Sequence, residues 1–242
     1  MDDTTTPDGA GPVTVTVTDG VAVIDLDDGK ANALGFDVLA GLESALDRAE
    51  ADDVSAVVIV GREGKFSAGF DLKVMTSGPE GARDMLGRGA LLGLRMYMFP
   101  KPVVLAVTGH ALAMGAILLC CADVRVGADG PFKIGLNEVA IGMPVPGFAV
   151  GICQDRLAIP AFTAAIQLAR IHSPAEALAA GFLDEVVDVA AVRDRAVEVA
   201  AELGTRLHRG PFRVTRETVR GPVAKRLRSE LAADLSVFDV SS

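Results

Sequence analysis

Short apolar runs that each lead into a helical pattern are the feature that most limits how this chain can fold. Residues 57–60 (VVIV) and 103–107 (VVLAV) are entirely apolar, which predicts strands that are buried on both faces. Gly61 ends the first run, and helical spacing of apolar residues appears over 34–51 and 80–98. Strands and helices that alternate along the chain in this way predict an α/β protein.

The start of the chain predicts a β-hairpin. Apolar and polar residues alternate strictly over 13–18, and a second strand pattern over 21–26 follows the turn signal Asp19-Gly20. Further short strands are predicted over 124–126 and 132–134, a buried helix over 115–122, and loops over 64–71 and 109–114. After Pro146 the pattern is helical to the end of the chain.

The sequence divides into three parts. Residues 1–11 are polar, acidic and rich in Thr, Pro and Gly, without the basic start and apolar run of a secretory signal, so a disordered tail is predicted there. Residues 12–170 are predicted to form the α/β core. Residues 171–242 are predicted to form a helical region that packs on this core or on a neighbouring subunit.

Charge and hydropathy exclude two classes of partner. The formal net charge is −9, so the basic footprint that nucleic-acid binding needs is missing, although a few local Lys or Arg side chains can still hold a phosphorylated small molecule. The apolar stretch 103–121 is interrupted by Gly109, His110 and Gly115, which predicts a buried strand and a buried helix instead of a membrane span. We therefore expect neither a nucleic-acid partner nor a membrane partner.

The cysteines and histidines bear on metals and on the cell compartment. The chain has three Cys and three His, and they lack the spacing of metal ligands, so no metal site is predicted. Cys120 and Cys121 are adjacent inside an apolar run, and the cysteine count is odd. This usage favours reduced thiols and a cytoplasmic protein.

Glu138 is the candidate for acid–base chemistry. It lies in an apolar, glycine-flanked segment (IGLNEV, 134–139) just before a loop that contains Pro144 and Pro146. A carboxylate in such surroundings loses water, so its pKa rises toward the range in which it can take up and return a proton. Two structural alternatives stay open at this point, a turn cap or an ion pair with an Arg.

Two loops rich in small residues are candidates for binding a carbonyl oxygen. Residues 66–72 and 109–115 each follow a predicted strand and lead into a helix, and a helix N-terminus presents free N–H groups. Two such loops that face each other form an oxyanion hole suited to an enolate. Ser67 to Gly69 is open to the alternative of an ordinary tight turn, and His110 is interpreted as a loop histidine hydrogen-bonded to backbone. The sequence contains neither a nucleotide-binding glycine fingerprint nor a G-x-S-x-G elbow.

Taken together, these segments resemble the crotonase family, also called the enoyl-CoA hydratase/isomerase family. The matching segments, in the order of the family, are 30–34, 66–73, 101–103, 109–115, 122–123, 134–139 with Gly142, 173–177 and 181–184. The resemblance implies a spiral of ββα units and homotrimers or dimers of trimers. It also implies an acyl-CoA thioester substrate, with no separate cofactor because CoA is part of the substrate.

The resemblance also implies roles for particular residues. The two oxyanion-hole N–H groups correspond to Phe70 and Met114, where the family usually has glycine at the second position. The Met114 side chain is therefore expected to narrow the pocket. Asp71 corresponds to the residue that closes the first loop, and Ala31 and Ala68 correspond to positions along the path of CoA.

One departure from the family pattern decides between reactions. Family hydratases use two glutamates to hold one water, and the first of these corresponds here to Ile117, the second to Glu138. A single carboxylate can still shuttle a proton between two carbons of one substrate, which is the chemistry of a Δ3-Δ2-enoyl-CoA isomerase. Two alternatives remain, a hydratase-like enzyme that takes a second carboxylate from elsewhere, and a non-catalytic acyl-CoA-binding protein.

Overall fold

The structure is a computed structural model that describes residues 11–236 of the chain. Apart from Gly11, the predicted disordered tail lies outside the described residues. The strands are β1 (Val13–Thr18), β2 (Val21–Leu26), β3 (Ala33–Leu34), β4 (Ala56–Gly61), β5 (Gly64–Ser67), β6 (Gly69–Phe70), β7 (Val103–Val107), β8 (Gly109–Leu112), β9 (Val124–Ala128), β10 (Ile134–Gly135) and β11 (Glu185–Val187). The α-helices are α1 (Phe36–Ala49), α2 (Leu72–Met75), α3 (Pro79–Tyr97), α4 (Met114–Cys121), α5 (Gly147–Arg156), α6 (Ile159–Ile166), α7 (Pro174–Ala180), α8 (Val192–Arg206) and α9 (Arg209–Ser236).

A six-stranded sheet with the order β1-β2-β4-β7-β9-β11 forms the main layer. The predicted hairpin is confirmed, because β1 pairs antiparallel with β2 from Val13 opposite Leu26 to Thr18 opposite Val21. The other neighbours in this sheet run parallel. The two apolar runs form β4 and β7 near its centre, and every residue of β4 and β7 is buried, as the sequence predicts.

A second layer of short parallel strands explains the repeat of the fold. β10, β8 and β5 form a three-stranded sheet, and β3 pairs with β6. Along the chain, β4 leads to β5, β7 to β8 and β9 to β10, and each pair is followed by a helix. This is the spiral of ββα units expected from the resemblance. Residues 64–71 and 109–114 were predicted as loops, and this is wrong for β5, β6 and β8, whose partners are remote in sequence.

Helices cover both faces of the main sheet. Buried apolar side chains of α1, α3, α4 and α5 form one core with one face, and α4 is buried along its whole length. α8 packs on the other face against β2, β4, β7 and β9 and buries Val192, Ala196, Val199 and Ala200. Burial on both faces accounts for the near-continuous apolar character of the central strands.

The part of the chain after Pro146 is mostly helical, with one correction. β11 is a strand and pairs in parallel with β9, whereas the pattern predicted helix. Arg125 and Asp184 fix this junction, because the Asp184 carboxylate accepts a hydrogen bond from the Arg125 backbone N–H at 2.8 Å and forms an ion pair with its guanidinium. Between residues 11 and 236, none of the helices is both long and apolar enough to cross a membrane.

The C-terminal helix α9 packs on α3 and α5 of its own chain. Arg216 and Arg220 of α9 form ion pairs with Asp123, which follows the end of α4, at 2.7 and 3.0 Å. Both guanidinium groups also donate to the Tyr97 carbonyl at the end of α3. These ion pairs and hydrogen bonds connect α9 to the C-terminal ends of α3 and α4. The N-terminal parts of the same two helices lie near the candidate site described next.

Candidate active site

An apolar cavity of about 240 Å³ lies between α2, α3, the start of α4 and the loop that follows β10. The predicted residues Phe70, Ile117 and Glu138 line it. The other lining residues are Leu72, Met75, Leu86, Ala113, Asn137, Ile141, Met143, Pro144 and Pro146. Two of these twelve described residues are polar, Glu138 and its neighbour Asn137. The Glu138 carboxylate is thus surrounded by walls that are almost wholly apolar.

Glu138 is buried, with 8% of its surface exposed, and Oε2 has no hydrogen-bond partner among the described residues. Burial raises the pKa of this carboxyl, and a hydrogen bond from its own backbone amide offsets part of the rise. Its side chain does not cap the 3₁₀ turn that follows at Val139–Ile141, and no cation is among the causes of its pKa shift. Neither the turn cap nor the ion pair with an Arg, the two alternatives considered from the sequence, is found among the described residues.

The Phe70 backbone amide points away from β3. The next residue, Asp71, donates its N–H to the Leu34 carbonyl at 3.3 Å. Successive amides of an extended chain point in opposite directions, so the Phe70 N–H points away from Leu34. Phe70 itself is one of the residues that line the cavity.

Asn32 and Ser67 hold the loop that carries Phe70. The buried Asn32 side chain donates to the carbonyls of Leu26 and Phe66 at 2.7 and 3.2 Å. Ser67 Oγ donates to the Asn32 carbonyl at 2.7 Å and accepts from the Gly69 N–H at 3.1 Å. Asn32 has φ +51°, a conformation that Asn tolerates better than most residues. The role of Asn32 was not predicted from the sequence, although an Asn in a Gly- and Asp-rich loop is a signal for this conformation.

The Met114 backbone amide is the first N–H of α4. The amides of the first turn of a helix lack intrahelical partners, so this N–H is free to bind a ligand. Ala113 before it has φ +49°, which is strained for a residue with a Cβ, and its own N–H donates to the Gly135 carbonyl at 3.0 Å. Strain of this kind is typical of functional sites, and here it sets the direction in which α4 starts.

Gly69 allows the loop that carries Phe70 to approach the start of α4. A Cβ added to Gly69 would lie 2.8 Å from Ala113 Cβ and 3.3 Å from Met114 N. At Gly115, an added Cβ would lie 2.5 Å from the Ser67 carbonyl oxygen. Only residues without a side chain permit such an approach, so the two glycine-containing loops meet as the sequence analysis expected.

The Met114 side chain does not narrow the cavity, which corrects the expectation from the sequence. It is fully buried and is absent from the cavity lining. A Cβ placed on Gly89 or on Gly93 of α3 would lie 3.6 Å from Met114 Cε, so the side chain packs on that stripe of α3. The departure from glycine at position 114 therefore leaves the backbone amide available and fills space between α4 and α3.

The remaining predicted residues lie outside the apolar cavity. Ala31 and Asp71 line an open depression that also includes Lys30 and Lys73. Ala68 is exposed, and its N–H donates to the Ala31 carbonyl at 3.1 Å. Asp71 caps α2, because its carboxylate accepts from the Lys73 N–H at 2.8 Å. The three residues are therefore connected to the Phe70 loop but do not line the apolar cavity.

Other candidate groups are structural or lie elsewhere. His110 Nδ1 accepts from the Lys133 backbone N–H at 3.0 Å, which confirms its interpretation as a loop histidine bonded to backbone. The three cysteines are buried free thiols. In the part of the chain that the structure describes, no three side chains of His, Cys, Asp or Glu come together as a metal site needs.

Comparison with known proteins identifies the family. The family model described as enoyl-CoA hydratase/isomerase matches residues 16–241. The chain belongs to this family. Mouse mitochondrial enoyl-CoA delta isomerase 1 is 33% identical over 224 residues, which are 90% of this chain and 77% of that protein.

Solved structures of the enoyl-CoA hydratase/isomerase family share the fold. The Mycobacterium tuberculosis enoyl-CoA isomerase is 42% identical with a TM-score of 0.89, and the match covers 95% of this chain and all of that chain. The enoyl-CoA hydratase EchA3 of Mycobacterium ulcerans is 44% identical with a TM-score of 0.90, and the match covers 94% of this chain and all of that chain. The protein is thus a crotonase-fold member of an enzyme family whose similar members are named both as isomerases and as hydratases.

Proposed function

We propose that this protein is a Δ3-Δ2-enoyl-CoA isomerase that moves a double bond through a thioester enolate. The observation that carries the proposal is the pairing of one buried carboxylate, Glu138, whose Oε2 has no hydrogen-bond partner among the described residues, with an apolar residue, Ile117, in the same cavity. A raised pKa suits Glu138 to accept a proton and then to return it.

The proposed reaction uses three groups of this chain. Glu138 removes a proton from C2 of a 3-enoyl-CoA, and the electrons move to the thioester oxygen. The N–H groups of Phe70 and Met114 donate to that oxygen, and such donors are worth several kcal/mol of transition-state stabilisation. Glu138 then delivers the proton to C4, so the double bond ends between C2 and C3 and the carboxylate is regenerated.

The alternatives have less support at this cavity. Hydration needs a group that holds and activates water opposite Glu138, and the described lining offers Ile117 and the uncharged Asn137. The change from glycine to Met114 fits a non-catalytic acyl-CoA-binding protein, but the Met114 side chain lies outside the cavity lining. Turnover is supported by the buried Glu138 carboxyl with its raised pKa and by the Met114 amide at the start of α4.

Two substrates assayed separately test the proposal. With 3-hexenoyl-CoA we expect formation of 2-hexenoyl-CoA, and with crotonyl-CoA we expect little or no water addition, because Ile117 cannot hold the nucleophile. Product analysis by mass spectrometry separates the outcomes, since hydration adds the mass of water and isomerisation adds none. Hydration of crotonyl-CoA without any shift of the 3-enoyl double bond would refute the isomerase assignment.

The pH dependence follows from the raised pKa of Glu138. Protonation removes the base, so kcat/KM falls as the pH drops through this pKa. Because burial raises the pKa, we expect the fall at a higher pH than for an exposed Glu, whose pKa is about 4.3. A pH–rate profile with 3-hexenoyl-CoA measures it, and an acid limb at the pKa of an exposed Glu would contradict the buried base.

The same proposal covers binding, assembly and location. The substrate is an acyl-CoA thioester, with Ala31, Ala68 and Asp71 along the CoA portion and Ile117 against the acyl group, and no separate cofactor or metal is needed. We infer a homotrimer or a dimer of trimers from the family pattern. We place the protein in the cytoplasm because of its cysteine usage, and we expect it to bind neither nucleic acid nor membrane.

A further inference from the structure

The exposure of the lining residues shows which end of the cavity is closed. Leu72 and Ile141 are 67% and 55% exposed, so they stand at the mouth. Leu86, Met75 and Ile117 are 2%, 6% and 1% exposed, so they form the inner end. A chain that enters between the first two residues meets the other three.

The volume of the cavity sets how much of an acyl chain it can hold. A water-sized group occupies about 30 Å³ in a liquid, and a methylene is of similar size, so about 240 Å³ holds about eight such groups. The inner wall is apolar, which suits a hydrocarbon chain and not a polar or charged one. The cavity therefore fits a short or medium acyl group.

Leu86 lies on a closely packed stretch of α3. It lies three residues before Gly89 on α3, so both face the same side of the helix. At Gly89, α3 is in close contact with its neighbours, because an added Cβ would lie 2.4 Å from Phe70 Cε1. α3 also packs on α4 and α9. The helix that carries Leu86 cannot retreat without disturbing Phe70, whereas Met75 has a flexible side chain on the short helix α2.

We propose that Leu86 closes the inner end of this cavity and limits the protein to acyl-CoA thioesters with acyl chains of about eight carbons or fewer. The identity of the ligand as an acyl-CoA thioester rests on the proposed function. The chain-length limit rests on the volume and on the position of Leu86, and neither depends on which reaction follows.

Binding of saturated acyl-CoA esters tests this limit without turnover. Isothermal titration calorimetry with butanoyl-, hexanoyl-, octanoyl-, decanoyl- and dodecanoyl-CoA gives Kd as a function of chain length. Each buried methylene should tighten binding about fourfold, so log Kd falls with length until the cavity is full at about eight carbons and then stops falling. Affinity that keeps rising through dodecanoyl-CoA would overturn the proposal.

Variants of α3 assign the limit to Leu86. Leu86→Ala removes three side-chain carbons, so the break in the Kd series should move to chains longer by about two or three carbons, and Leu86→Val should move it by about one. Leu92→Ala is the matched control, since Leu92 is equally buried on the same helix but does not line the cavity. If log Kd stops falling at the same acyl-chain length in the Leu86 variants as in Leu92→Ala, the proposal is also overturned.

The outcomes separate this inference from the proposed function. A clear break at the expected length in a protein without isomerase activity would refute the isomerase and uphold the role of Leu86. Isomerase activity without a break would refute the role of Leu86 alone. Failure to bind any of the five esters would refute the acyl-CoA ligand and the chain-length limit together.

Discussion

Replacement of Glu138 by Gln is expected to lower kcat for the isomerisation of 3-hexenoyl-CoA by about 10²- to 10⁴-fold, the range for loss of a general base. Gln keeps the shape of the side chain but cannot accept the proton from C2. KM should change little, because the apolar walls and the two backbone amides remain. Steady-state kinetics with purified variants measure the effect.

The stability of the same variant provides a second and independent readout. Because the folded state raises the pKa of Glu138, ionisation of this group is less favourable in the folded than in the unfolded chain, so it costs stability above the usual pKa of a Glu. We therefore expect the Tm of Glu138→Gln at neutral pH to be higher than that of the wild type, and the difference to vanish in acid. Glu198→Gln is the control, because Glu198 is an exposed partner of Arg195 and should leave both kcat and Tm nearly unchanged. Retention of full activity by Glu138→Gln would contradict the proposed mechanism.

Gly69→Ala is expected to lower kcat by about 10²- to 10³-fold, the cost of a displaced oxyanion donor. The new Cβ would lie 2.8 Å from Ala113 Cβ and 3.1 Å from the Leu112 carbonyl oxygen, so the two loops must separate. The strained conformation at φ +93° and the overlap should also lower the free energy of unfolding by about 1 to 3 kcal/mol. Kinetics and chemical denaturation measure the two effects.

Two further variants isolate the cause of that loss. Gly29 also has a positive φ, +73°, but an added Cβ meets nothing within 4 Å, so Gly29→Ala should cost about 1 kcal/mol of stability and leave kcat unchanged. Combining Gly69→Ala with Ala113→Gly removes the Cβ in the overlap and relieves the strain at position 113. We expect this double variant to recover part of the lost activity, and equal kcat values for Gly69→Ala and Gly29→Ala would rule out the proposed approach of the loops.

The elements predicted correctly from the sequence are those whose pattern is set by burial alone. Residues 13–18 alternate because one strand face is exposed, and residues 57–60 are wholly apolar because β4 is covered on both faces. β5, β6 and β8 were missed because they are short, rich in glycine and polar, and their hydrogen bonds come from strands far away in sequence. β11 was missed for the same reason, since its three residues are only half-buried and acquire strand geometry through β9.

The same distinction applies to the candidate site: features set by the local sequence could be predicted, and features set by contacts with remote elements could not. The apolar surroundings of Glu138 are visible in its own segment, so its burial could be predicted. The absence of a hydrogen-bond partner for Glu138 Oε2 could not be predicted, because it depends on which residues of other elements reach the cavity. The place of the Met114 side chain depended on Gly89 and Gly93, two glycines of α3 that no local pattern connects with position 114.

The ion pairs between α9 and Asp123 have a consequence for truncated versions of this protein. A chain cut ahead of Arg216 would remove both guanidinium partners of the Asp123 carboxylate and most of the packing of α9 on α3 and α5, so the free energy of unfolding should fall. Asp123 follows directly on the helix whose opposite end presents the Met114 amide. Residues 216–236 are thus an integral part of the fold, and we expect a truncation there to disturb α4 as well, including the first turn that carries the Met114 amide.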